Sequence, residues 1–447
     1  MTNRIFKKLN VLTALAVLTV AIITLPGNIH AQSVDSLIDE ALRNNTQLKA
    51  LKDKIKSAEY KSETVGYLPA PAIGLEFSQV PLTDPNPFSN ALSQNLSISQ
   101  MFMPGGKLTA MSAAEKKNVS IAGSEYDAFK LKLIADIKTK YYEIWMIEHH
   151  IELRDETRVL LKNLLQSAEQ LYTTGKAKYS DVLMIKAELA SNNTKTELFQ
   201  DDLEAAVYEM NTLLGRDPGN TELAVQHNWE ADSLKLSKDE LFEKLSNKNP
   251  SLKKMEYMIE MNRLEITANN KELIPDIMVQ GMVMRMPKGM IVTSQTPMEE
   301  LGMGETEYMY SIMASITLPF MPWSAGKYAN KEAELNASIS GLSTEKSYME
   351  KTMNSELNKF LEKLQSADRQ LKLYKNEVIP LYRQTLDAQV IEFQNSRISI
   401  NDVINTMQML IMKEEEEAEY LMQHQMYIAE IEMMTGTNNY NVVSTAE

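Results

Sequence analysis

Methionine is the residue type in this chain most able to do chemistry. Ten of its 29 methionines fall between Met278 and Met321, and Met282, Met284, Met286, Met309 and Met313 stand at alternating positions there. A thioether sulfur suits soft ions such as Cu(I) or Ag(I), and it is equally a flexible apolar filler. His149-His150 is the next candidate. Adjacent helical residues do not face each other, so the pair cannot chelate one ion, and two surface histidines are expected. Asp181 and Asp402 follow turn-like stretches, where Asp either caps a helix or offers a carboxylate to a cation. Glu414 to Glu417 reads as a solvated or tunnel-facing run. No Ser/His/Asp set, paired-carboxylate site or phosphate loop is present, so no catalytic residue or cofactor is assigned and the chain does not read as an enzyme.

Composition narrows the setting. The chain has no cysteine, which excludes disulfides and a lipid-attached N-terminal Cys. A formal charge of −14 argues against nucleic acid, whose phosphates need clustered Lys and Arg. Arg4, Lys7 and Lys8 precede an apolar run from Val11 to Leu25 and a small residue, Ala31. That order predicts a secretory signal cleaved after Ala31. The run is shorter than the roughly 20 residues of a membrane-spanning helix.

The elements that position these residues occur twice. Leu37 to Leu48 matches Leu241 to Leu252, Leu68-Pro69 matches Ile274-Pro275, and Phe102-Met103-Pro104 matches Phe320-Met321-Pro322. Gly106-Lys107 then matches Gly326-Lys327, Tyr172 to Val182 matches Phe393 to Val403, and Leu214-Gly215 matches Thr435-Gly436. The domain reading is a signal over 1–31, a first repeat over 32–220, a linker over 221–236, a second repeat over 237–437 and a disordered tail over 438–447. Each repeat reads as helix, two strands, long helix, turn, helix. Val34 to about Gly66 is read as one helix. Ile73, Leu75 and Phe77, then Leu92, Leu96 and Ile98, alternate as strands do. From Leu108 to Tyr172 the apolar spacing turns helical, and Ser180 or Asp181 is expected to cap the next helix. Pro380 should bend the second long helix. At 1.5 Å per residue the long helices span on the order of 100 Å, and their seams need sister helices to cover them.

Strands of roughly ten residues have the length of tilted membrane strands. Open strand edges cannot be satisfied in lipid, and four strands cannot close a barrel, so copies must pool them. Tyr67, Phe102, Phe320, Trp323 and Tyr328 flank the strand ends, where a barrel carries its aromatic girdle. Aligning the repeats puts Ile73, Leu75 and Phe77 on one face with Val279, Gly281 and Val283. It puts Met282, Met284, Met309 and Met313 on the other, with Met286 near the rim.

This ordered set resembles the TolC-like outer-membrane factor family, with Tyr172, Gly175, Asp181 and Val182 at one hairpin tip and Phe393, Arg397, Asp402 and Val403 at the other. Pro104-Gly105-Gly106-Lys107 looks like that family's Gly-rich turn, and Leu213-Leu214-Gly215 like its repeat end. The resemblance implies a mainly α fold, with duplicated helical hairpins forming an α-barrel tunnel and four strands given to an oligomeric outer-membrane β-barrel. It implies a homotrimer that works with a periplasmic adaptor and an inner-membrane pump. Tyr172, Gly175, Lys176, Asp181, Phe393, Ser396, Arg397 and Asp402 are then the adaptor-facing tips. Ser396 stands where the first tip has Gly175, so a less sharp second turn is expected, with Asn395 supplying the left-handed residue. The expected function is an efflux duct, with Cu(I), Ag(I) or other heavy-metal ions as substrates. Drugs or secreted polypeptides are the alternative cargo, and a periplasmic coiled-coil adaptor or structural rod is the alternative class.

Overall fold

The computed structural model describes residues 32–217, 219, 223, 225, 226, 234, 236–286 and 306–437. The expected signal over 1–31, the tail over 438–447, and Met290, Met298 and Met303 lie outside the described residues.

The first half opens with α1 (Val34–Asn44) and α2 (Thr46–Thr64), two helices where one was expected. Asn45 is the reason. Its Oδ1 accepts from Leu48 N–H at 3.0 Å and so caps α2, while its Nδ2 donates to the Leu213 carbonyl at 2.9 Å. The second half breaks identically between α6 (Lys238–Lys248) and α7 (Pro250–Lys271). There Asn249 caps α7 through Ser251 and Leu252 N–H and donates to the Met434 carbonyl at 2.8 Å. Each asparagine thus satisfies an end carbonyl of the last helix of its own half. Those helices, α5 (Tyr179–Leu214) and α10 (Ile400–Thr435), stop at Gly215 and Gly436, with φ of 71° and 63°. A Cβ on Gly215 would lie 2.8 Å from the Asn44 carbonyl oxygen, so this crossing requires glycine.

Strands β1 (Ala72–Ser78), β2 (Ser93–Phe102), β3 (Ile277–Met286) and β4 (Glu307–Ile316) form one antiparallel sheet in chain order. β1 has 7 residues, shorter than expected. Leu92 lies outside the strands, its N–H bonding the Ser78 carbonyl at 2.9 Å, and a short helix α3 (Pro87–Asn90) fills the β1–β2 connection. The central β2–β3 pairing joins the two halves.

Helix α4 (Lys107–Thr173) runs 67 residues, about 100 Å at helical rise. It packs against α2 and α5, and also against α7 and α10, which in turn contact α8 (Pro322–Leu373). After α8 comes a π segment, Tyr374–Val378, and then α9 (Ile379–Gln394). Ile379 N–H reaches back five residues to the Tyr374 carbonyl, and this wider turn lies beside Pro380, which has no N–H to give. Gly326 lies inside α8, unlike Gly106, which precedes α4 with φ of 74°. The repeat match at that junction is therefore one of sequence only. Three apolar clusters hold the body. Leu37, Ile137 and Met210 anchor one, Leu161, Ile185, Phe393 and Met407 join both hairpins near their tips, and Leu241, Leu357 and Ile431 form the third. No helix among the described residues is long and apolar enough to cross a membrane.

Candidate functional site: sheet faces and hairpin tips

The pairing register sorts the sheet into two faces, because directly opposed residues in antiparallel strands point the same way. Met284 lies opposite Asn95 and Met309, Met282 opposite Ser97 and Ser311, Met313 opposite Gln280, and Met286 opposite Glu307. All five candidate methionines therefore share one face with hydroxyls, amides and Glu76, which accepts from Asn95 Nδ2 at 3.4 Å. The other face carries Ile73, Leu75, Leu96, Ile98, Val283 and Ile312, each more than half exposed. Among the described residues no three His, Cys, Asp or Glu side chains cluster to hold a metal.

The aromatics expected at the strand ends are mostly open. Tyr67, Phe102, Phe320 and Trp323 are exposed, while Tyr328 is half-buried and its carbonyl accepts from Asn269. At the helical end of the sheet lies a contact that sequence reasoning missed. Lys107 is 1% exposed and pairs with Asp276 at 2.6 Å, with Glu272 at 3.6 Å. Lys271 Nζ donates to the Gly105 carbonyl at 2.8 Å. The first strand-to-helix junction is thereby tied to the second half just before β3. The Gly-Lys motif was visible, but only the fold brings Asp276 to it.

At the tips the two turns match. Gly175 N–H bonds the Tyr172 carbonyl at 3.0 Å and Lys176 N–H bonds that of Leu171 at 2.8 Å; Ser396 to Phe393 and Arg397 to Glu392 repeat this at 2.8 and 2.9 Å. Ser396 itself takes the left-handed conformation with φ of 60°, against 73° at Gly175. Asn395, with φ of −89°, does not, and the second tip turns as sharply as the first. The caps are Lys178 and Ser399 rather than Ser180 or Asp181. Asp181 and Asp402 sit three residues in, each accepting the cap residue's N–H, at 3.0 and 3.2 Å. Tyr172, Lys176, Ser396 and Arg397 are exposed. Phe393 is buried in the hairpin core and offers no surface to a partner.

Two further expectations are corrected along the helices. His149 stacks on Trp145, but His150 is buried against Phe199, because α5 and α10 cover α4 on both sides. The Glu414–Glu417 run is not a solvated stripe. Glu414 pairs with Arg383 at 2.5 Å, Glu415 with Arg154, and Glu416 accepts from the Tyr374 hydroxyl at 2.6 Å. Burial holds the Glu417 carboxyl above the usual range. Lys138 and Glu432 form a buried pair at 2.6 Å between α4 and α10.

A four-stranded sheet at one end of two long helical hairpins is the architecture of outer membrane channels. The structure of CusC matches with a TM-score of 0.73 at 17% identity, over 92% of this chain and 93% of that one. VceC from Vibrio cholerae matches with 0.70 at 14%, over 91% and 96%. The open state of the MtrE outer membrane channel from Neisseria gonorrhoeae matches with 0.70 at 16%, over 90% and 89%. No curated protein matches by sequence. Residues 37–216 match the outer membrane efflux protein family. The likeness to that family in sequence covers the first repeat, and the likeness in fold to the solved channels extends over nine-tenths of the chain.

Proposed function

We propose that this chain is the duct subunit of a tripartite efflux pump, exported to the outer membrane, with its helices in the periplasm. Three copies pool their sheets into a 12-stranded barrel, the apolar face meets lipid, and the methionine face lines the lumen. The hairpin tips, through Tyr172, Gly175, Lys176, Ser396 and Arg397, meet a periplasmic adaptor joined to an inner-membrane pump. One observation carries this reading: a sheet with an apolar and a polar face whose edge strands β1 and β4 have no further strand partner among the described residues. An apolar sheet face beside unpaired edges is stable in a bilayer only if the sheet closes.

The cargo we propose is a soft metal ion, supported by the five aligned thioethers. Weak, repeated contacts let an ion pass without trapping it. The test has two arms. The detergent-extracted protein should have the mass of a trimer, and a monomer under mild detergent would refute the duct. Replacing Met282, Met284, Met309 and Met313 by Leu should leave trimers intact and lower copper or silver tolerance several-fold. Unchanged tolerance at normal expression would refute the metal cargo and leave the duct standing.

A further inference from the structure

We infer that the apolar sheet face holds a phosphorylated acyl lipid, with an acyl chain over Gly281 and the phosphate on Arg285. This rests on the proposed membrane setting of the sheet. A groove of about 490 Å³ crosses that face, lined by Leu96, Ile98, Val283, Tyr310 and Ile312 around Gly281. Gly281 lies opposite Ile98 and Ile312, and a Cβ placed there would meet no atom of the described residues within 4 Å. The missing side chain is thus what opens the groove, and the space has the apolar lining and width that an acyl chain fills.

The groove leads to a cation. Two positions beyond Val283 on the same face, about 7 Å along the strand, Arg285 lies opposite Gln94 and Tyr308. Its Nη1 donates to Gln94 Oε1 at 2.9 Å, and Gln94 Nε2 donates in turn to the Phe88 carbonyl at 2.7 Å. No carboxylate among the described residues pairs with Arg285, and the side chain is exposed. One of five N–H donors is used to orient the guanidinium, which leaves a fork suited to a phosphate. Phe77 and Phe88 pack edge to face at 5.0 Å beside it, and Tyr308 flanks the other side. An aromatic collar with a cation is the pattern of a membrane–water interface.

Position selects the leaflet. β3 leaves the helical body at Asp276, paired to Lys107, and Arg285 lies at the opposite end of the strand. With the helices in the periplasm, that end reaches the outer leaflet. A second copy of the chain would pair with edge strands β1 or β4, whereas Gln94 and Arg285 stand on the central strands and stay open to lipid. The charge and the groove together fit a phosphorylated, acylated lipid rather than free phosphate.

The test uses the full chain, extracted in neutral detergent and titrated with lipid A (a phosphorylated, multiply acylated glucosamine disaccharide) or with phosphatidylcholine. Native mass spectrometry counts the lipids bound to each assembly. Lipid A should be retained in preference, with Arg285→Gln lowering its bound fraction at least five-fold and leaving phosphatidylcholine unchanged. Gly281→Val, which the open space accommodates, should lower lipid A retention too. No preference in the wild type, or wild-type retention in both variants, overturns the inference. Displacement of lipid A by millimolar inorganic phosphate, with Gly281→Val silent, reduces the site to an anion site and overturns it as well. A wild type that is monomeric and absent from outer membranes refutes the duct reading itself. A trimeric outer-membrane protein without lipid selectivity refutes only the lipid site.

Discussion

His150 is buried, and its ring lies against Phe199 at 5.1 Å between centroids. Burial holds its pKa below the ordinary value, and Arg154 and His149 add repulsion that attraction to Glu415 opposes. In the unfolded chain the imidazole binds its proton more readily than in the fold. Its stabilising share is therefore complete above about pH 6.5 and is lost as the pH falls below that value. Asp136, Glu417 and Glu430 act the other way. Burial raises all three, so the fold gains from their protonation on acidification. Because His150→Phe retains those carboxylates, a comparison isolates the imidazole. Between pH 7.5 and 5.5 the thermal midpoint of the wild type should fall more steeply than that of the variant, measured in detergent. Equal slopes would refute this role. The histidine pair was legible as letters but its burial was not, since no local pattern says that α4 is covered on two sides. The glutamate run misled for the same reason, its partners Arg154 and Arg383 lying on other helices.

Among elements, helices read best where apolar spacing is continuous. The extent of α4 was legible to within a residue or so. The break at Asn45 was not, because Leu37, Ala41 and Leu48 keep a helical spacing across it; what ends α1 is a hydrogen bond to Leu213, 168 residues away. The tips show the same division. Gly175 announced its left-handed backbone, whereas Ser396 adopts one despite its Cβ, held by the same pair of turn bonds. A non-glycine residue in that region costs roughly 1–2 kcal/mol. Gly175→Val should therefore destabilise the first hairpin by about that much. Ser396→Gly should relieve about 1 kcal/mol or less, since glycine gives back part in chain entropy. Limited proteolysis at the tips checks both: faster cleavage near 175 in the first variant, unchanged or slower cleavage near 396 in the second. Equal protection of Gly175→Val and wild type would refute the assignment.

Over the whole molecule, the two faces of the sheet were legible because a period of two survives duplication, so aligned repeats carry side chains to matching sides. What joins the halves was not legible: the β2–β3 pairing, the Lys107–Asp276 bridge and the Lys138–Glu432 pair each link residues far apart in sequence. The asparagine contacts are of another kind. Asn45 to Leu213 closes the first half on itself and Asn249 to Met434 closes the second, so neither depends on the covalent connection between them. Val225 and Gln226 still lean on the first half, through Gln32 and the Tyr141 hydroxyl. The gene should therefore tolerate being cut between codons 226 and 236. The two half-length polypeptides, each given an export signal and only one of them a purification tag, should reassemble into the same fold. Recovery of the untagged half in equal amount with the tagged one is the expected outcome. Recovery of the tagged half alone would mean that the tether, and not the packing, keeps the halves together.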